Sequence, residues 1–174
     1  MKTLAEHMAS YGAYHRDRRN KLTHFVGVPL IMFSILIPMA WLRIRIGDME
    51  LSAAILFVLA VLIYYFLLDA ALAAAMTVFT AILLYFAERV ASLPWAISAA
   101  VFAGTFSVGW IIQLAGHVFE GRRPALLDNL FQVIVAPIFL IAEIFFALGA
   151  KRALRERVDV LMHERTTAPN DPRF

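Results

Sequence analysis

Residues 130–149, "LFQVIVAPIFLIAEIFFALG", decide how this chain is folded. The run is long enough to cross a bilayer, because about 20 apolar residues in a helix match the hydrocarbon thickness. It also carries Gln132, Pro137 and Glu143, polar or helix-breaking residues that a plain span avoids. Four more uniform apolar runs precede it, at 25–42, 51–68, 70–87 and 95–116. Little more than Asp69 separates the second from the third, which predicts a tight helical hairpin. The last run is therefore either a fifth span or a segment that dips into the membrane and returns.

Charge placement discriminates between the two. Of the 16 Lys and Arg residues, five precede the first run and two follow it (Arg43 and Arg45). Arg89 follows the third run, Arg122 and Arg123 follow the fourth, and six lie beyond Gly149. Five full crossings divide these seven to nine; a returning last segment divides them 13 to three. The excess of basic residues on cytoplasmic faces favours the second arrangement, with both termini cytoplasmic. The expectation is an all-α integral membrane bundle of four to five transmembrane helices, the last re-entrant or peripheral. Residues 1–150 form the membrane-embedded domain, and 151–174 a charged cytoplasmic tail that starts as a helix and ends disordered.

Composition agrees. Hydrophobic residues are 61% of the 174, against about 45–50% in ordinary globular chains, and the mean hydropathy is +0.74. Lipid must be the solvent for much of this chain. The absence of cysteine excludes disulfides, thiolate metal sites and a cysteine nucleophile. The basic pI near 9.5 does not point to nucleic acid, because the cations flank apolar runs and suit anionic headgroups. The polar first 24 residues contain no apolar core of a cleavable signal.

Either topology puts the N-terminal stretch and the 117–129 connection on one face. His15 and His24, in "YHRDRRNKLTHFVGVP", there meet His117, in "GHVFEGRRPALLDNL". A lone interfacial histidine is ordinarily a hydrogen-bonded surface residue. Three converging beside acids point to a metal, and neutral imidazole suits iron, zinc or copper. Gln113, His117 and Glu120 stand at i, i+4 and i+7, one face of a helix. Glu120 is thus a possible ligand and Gln113 a residue that orients one, although such a stripe is more often a plain polar face. His7 and His163 lie in less structured surroundings.

Glu143 is costly inside an apolar run and so a functional candidate. It is expected either to accept a hydrogen bond from a metal-bound histidine or to pair with Arg122, Arg123 or a backbone donor. Those two arginines offer bidentate forks for headgroup or substrate carboxylates. Pro124 ends the preceding helix.

The two quoted motifs, with "GWIIQLAGHVFEGRRPALLDNLFQVIVAPIFLIAEIFFALG" continuing the second, resemble the 2-hydroxy fatty acid dioxygenase family over roughly residues 8–150. In the fungal pattern a second histidine follows the first; here that position is Arg16, so no role of that histidine carries over. The resemblance implies an Fe(II)-dependent enzyme that shortens a 2-hydroxy fatty acid by one carbon with O2. It places metal ligation and catalysis on His15, His24 and His117, with Glu120 or a nearby acid as a further candidate ligand. Asn20, Gln113, Arg122, Arg123, Asp128, Asn129 and Glu143 become substrate or ligand-supporting candidates. Membrane lipid is the expected surrounding, in the inner membrane of a bacterium or the endoplasmic reticulum of a eukaryote, with the metal on the cytoplasmic face. The oligomeric state is not legible. The competing reading is a non-enzymatic transporter or lipid-binding scaffold; a di-iron hydroxylase would need more histidines.

Overall fold

The computed structural model describes residues 3–121 and 132–167. Arg122, Arg123, Asp128 and Asn129 lie outside the described residues, as does the end of the tail. Helix α1 (Leu4–Gly12) is followed by α2 (Arg18–Trp41), strands β1 (Arg43–Ile46) and β2 (Met49–Ser52), and α3 (Ala53–Leu68). Helices α4 (Ala70–Ala91), α5 (Trp95–Glu120), α6 (Gln132–Ala147) and α7 (Arg152–Thr167) complete it.

Polar residues start the helices where the apolar runs begin. Asp17, Ser52 and Asp69 each accept hydrogen bonds from backbone N–H groups of the first turn that follows, satisfying donors no helical carbonyl can reach. Helices α2, α4 and α5 are long and apolar enough to cross a bilayer; α3 is equally apolar but has 16 residues. Their outer faces keep large apolar side chains in the open, including Ile63, Val78 and Ile111, each more than 60% exposed. In water that would be untenable as a continuous surface; in lipid it is the favoured one.

At the far end of the bundle β1 and β2 pair antiparallel, Arg43 opposite Ser52 and Ile46 opposite Met49. The apolar-run reading had no strands. The hairpin lies between the runs and leaves the helical bundle intact. Arg43 pairs with Glu88 of α4 at 2.9 Å, and Ser52 donates to the same carboxylate.

The last apolar run lies against the N-terminal end of the bundle. Tyr65, one turn before the α3–α4 turn, donates its hydroxyl to the Ile134 carbonyl. Lys21, in the first turn of α2, pairs with Glu143 at 2.9 Å. Lys151 grips both oxygens of Asp69 at 2.8 and 2.6 Å. Both ends of α6 are thus tied to the face where α2 starts. A bend of 117° then carries the chain into α7, through Gly149 (φ 74°) and Lys151 (φ 55°). The left-handed conformation is free for glycine and costs a lysine, and the Asp69 contacts hold it. The α6–α7 pair forms a broken span or a re-entrant segment, and it corrects one expectation: Glu143 pairs with Lys21, with no histidine among its described partners. Two histidines expected in loose surroundings are helical, His7 in α1 and His163 in α7. Helix α7 buries Val158 and Leu161 in the cluster that holds α1 and α6.

Helices α2 and α5 make the closest pair. A Cβ on Gly109 would stand 2.8 Å from Ile31 Cγ1, and one on Gly116 would overlap Thr23 Oγ1. Bare backbone at these points lets two helices approach beyond the reach of ordinary side chains. That approach brings His24 and His117 together.

Candidate metal centre

His15 sits in the turn between α1 and α2, His24 two turns into α2, and His117 in the last turn of α5. All three are buried, at 3%, 3% and 8% exposure. One ring nitrogen from each lies within 4.8 Å of the others. Ring centroids are 4.5 Å apart for His15–His24, 5.3 Å for His15–His117 and 5.2 Å for His24–His117. Stacking of Tyr11 on His15, at 4.0 Å and nearly parallel, fixes the first ring from the side.

The hydrogen-bond partners determine where the lone pairs point. His15 Nδ1 is 2.8 Å from the Tyr11 carbonyl and His24 Nδ1 is 2.8 Å from the Asn20 carbonyl. A carbonyl only accepts, so both Nδ1 atoms carry hydrogen and both Nε2 atoms present lone pairs. Those two Nε2 atoms face each other at 3.0 Å. Two neutral lone pairs at that distance repel, and a cation between them removes the conflict. Two nitrogens bound at about 2.1 Å to one ion, at right angles, stand about 3.0 Å apart. His117 Nδ1 is buried with no hydrogen-bond partner among the described residues. The three residues therefore fit a metal by tautomer, spacing and an orphaned third donor. Burial draws the pKa of His15 down to about 4, against the opposing effect of its bond to the Tyr11 carbonyl. The ring is neutral, the form that ligates.

Glu120 stands beside the triad with its oxygens otherwise engaged. Its Oε1 accepts from the Arg16 N–H at 2.9 Å, and its Oε2 from the Asp17 N–H at 2.9 Å and from Asn20 Nδ2 at 3.0 Å. The carboxylate thereby caps the start of α2, where the helix dipole is positive, and pins the His15 turn to α5. Asn20 is fully buried. It gives its carbonyl to His24, its amide to Glu120, and leaves Oδ1 unpartnered among the described residues. Glu143 and Lys21 lie outside the triad, lining a polar cleft of about 400 Å³ that also reaches His15, Arg16, Arg155 and Asp159.

On the opposite side of the triad an apolar cavity of about 170 Å³ runs into the bundle. His15, His24 and His117 line its head, and Val28, Ile31, Leu36, Val58 and Met76 its walls. From His24 to Leu36 is 12 residues, about 18 Å along α2. Gln113 and Trp110 also line it, and Gln113 Oε1 and Trp110 Nε1 have no hydrogen-bond partner among the described residues. The triad thus separates a lipid-like compartment from a polar one, with His15 touching both.

The structure brings together His15, His24, His117, Glu120, Asn20 and Gln113. It sets Glu143 on the polar side. Sequence reasoning missed the carbonyls that orient the rings; the signal available was the i, i+4 spacing of Tyr11–His15 and Asn20–His24. It also missed Trp110, one further turn along the Gln113–His117 face.

Residues 1–148 match the profile of a family described as 2-hydroxy-palmitic acid dioxygenase Mpo1-like. The chain is 34% identical over 159 residues to the 2-hydroxy-palmitic acid dioxygenase MPO1 of Saccharomyces cerevisiae, covering 90% of this chain and 87% of that protein. No solved structure matches it significantly.

Proposed function

This chain belongs to the Mpo1-like family, and from that premise we propose that it is an iron-dependent dioxygenase that removes one carbon from 2-hydroxy fatty acids. The observation that carries the reading is the pair of Nε2 lone pairs meeting at 3.0 Å at the head of an apolar cavity. The first calls for a cation; the second accepts an acyl chain.

Bound there, iron supplies the Lewis acid and the redox partner for O2. Three imidazoles leave open positions, as a site handling both O2 and substrate requires. The chain's own residues do the rest. The Tyr11 and Asn20 carbonyls hold two rings in the ligating tautomer. Glu120 keeps the His15 turn seated on α5. The aliphatic walls exclude water from the tail and admit it from the bilayer. The carboxylate of the substrate stays at the histidines, with C2 and its hydroxyl next to it at the head of the cavity.

The reaction balances with two reactants. A 2-hydroxy acid and O2 give the carboxylic acid one carbon shorter, CO2 and water. The C1–C2 bond breaks, the substrate gives up four electrons and O2 takes them. Neither a reductant nor a nicotinamide is required. A last apolar run that returns to its starting face would put 13 of the 16 basic residues, counted along the sequence, on the side of the metal centre, and that count supports a cytoplasmic site.

The test is incubation of the purified protein with 2-hydroxypalmitate under labelled O2. Pentadecanoate carrying label, with stoichiometric oxygen uptake, is expected. Unchanged substrate from protein with full metal content would refute the proposal.

A further inference from the structure

Within a mostly apolar cavity, the wall contributed by α5 is polar. His117, Gln113 and Trp110 fall on one helix face, each presenting a buried atom without a hydrogen-bond partner among the described residues. Gln113 is 9% exposed. Its stem passes over bare backbone of α2, where a Cβ on Gly27 would stand 2.9 Å from Gln113 Cγ. It lies four residues from His117 toward the membrane interior, about 6 Å along the helix. A carboxamide oxygen only accepts hydrogen bonds, and leaving one buried and unpaired is costly. Its position calls for a ligand that brings a donor to the membrane side of the histidines.

We propose that Gln113 reads the 2-hydroxyl group of the substrate and sets the preference for hydroxylated over plain fatty acids. The inference rests on the dioxygenase reading of the site. An ionised 2-hydroxy fatty acid has a single donor hydrogen, on the hydroxyl of C2; an ionised plain fatty acid has none. With the carboxylate at the triad and the tail in the cavity, C2 is the first carbon on the tail side, where Gln113 Oε1 stands open. A plain acid in the same place leaves that oxygen buried and unsatisfied. Sites built to pair a substrate hydroxyl reject the analogue that lacks it for this reason.

The experiment is competition binding to the purified metal-containing protein in detergent, without O2 so that nothing turns over. The dissociation constants of 2-hydroxypalmitate and palmitate are compared in wild type and in Gln113→Met, an unbranched replacement that fits the groove over Gly27. The expected result is a fall of about 10-fold in the preference for the hydroxy acid, the value of one such hydrogen bond. Metal content should be unchanged, and palmitate affinity should not fall. Gln113→Asn, which withdraws the oxygen by one carbon, should give the same loss if the methionine variant fails to fold. An unchanged preference in the folded variants overturns the inference and leaves the dioxygenase reading intact. Loss of metal in step with preference also overturns it, since Gln113 would then act through His117. Wild-type protein that binds neither acid overturns the dioxygenase reading itself.

Discussion

Replacing Glu120 by alanine should loosen the metal centre from a distance. The carboxylate accepts three hydrogen bonds, from the N–H groups of Arg16 and Asp17 and from the Asn20 amide. The two backbone donors lie near the surface and can turn to water. The Asn20 amide belongs to a fully buried residue and cannot, so its desolvation is exposed in full, about 1–3 kcal/mol. Adding the loss of charge assistance on the other two bonds, we expect about 2–4 kcal/mol from the unfolding free energy in detergent. The His15 turn is then no longer held to α5, and metal affinity should fall by about 10–100-fold, as for loss of a residue that orients a ligand. Glu120→Gln keeps an oxygen for the Asp17 and Asn20 donors and should lose less than about 10-fold. Chelator competition measures the affinity, and denaturant titration of the same samples the stability. A direct ligand would behave differently, because a carboxamide is a poor substitute for a carboxylate on a metal. Equal, near-complete metal loss in both variants with unchanged stability would refute the reasoning.

Gly116→Ala places a Cβ against Thr23 Oγ1 and Asn20 Oδ1; overpacking of this kind costs about 1–3 kcal/mol. Parting α2 from α5 should also lower metal occupancy, read by elemental analysis. Glu143→Gln removes one partner of a partly buried ion pair with Lys21. It should cost no more than about 1 kcal/mol and leave metal affinity unchanged in a chelator titration. Reporter domains fused to either terminus should both report from the cytoplasm, and a tail reporting from the far side would require a complete fifth crossing.

The spans were legible because lipid imposes a length on them. The run at 70–87 became Ala70–Ala91, and the run at 51–68 became Ala53–Leu68, starting just after the Ser52 cap. The histidines were legible because four apolar runs, read as crossings, put His117 on the face of His15 and His24, and the three rings do converge. The hairpin strands were hidden in a loop too short for a span, although the Arg–Ile–Arg–Ile alternation before Gly47 carries their period of two. The partner of Glu143 was not legible, because it depends on α6 lying against the start of α2. Lys21 and Glu143 are 122 positions apart. Glu120 is the same case. Its face on α5 marked it as a ligand candidate, whereas its partners sit about a hundred residues earlier in a turn that no periodicity describes.

The most direct measurement is metal content of protein purified without O2, for wild type and for His15→Ala, His24→Ala and His117→Ala. One iron per wild-type chain is expected, in line with the one set of converging imidazoles among the described residues. Each alanine variant, still helical and still inserted, should retain less than about a tenth of it, since one of only three ligands is gone. Full iron occupancy in all three variants, or wild-type protein that binds no transition metal when one is offered, would contradict the account.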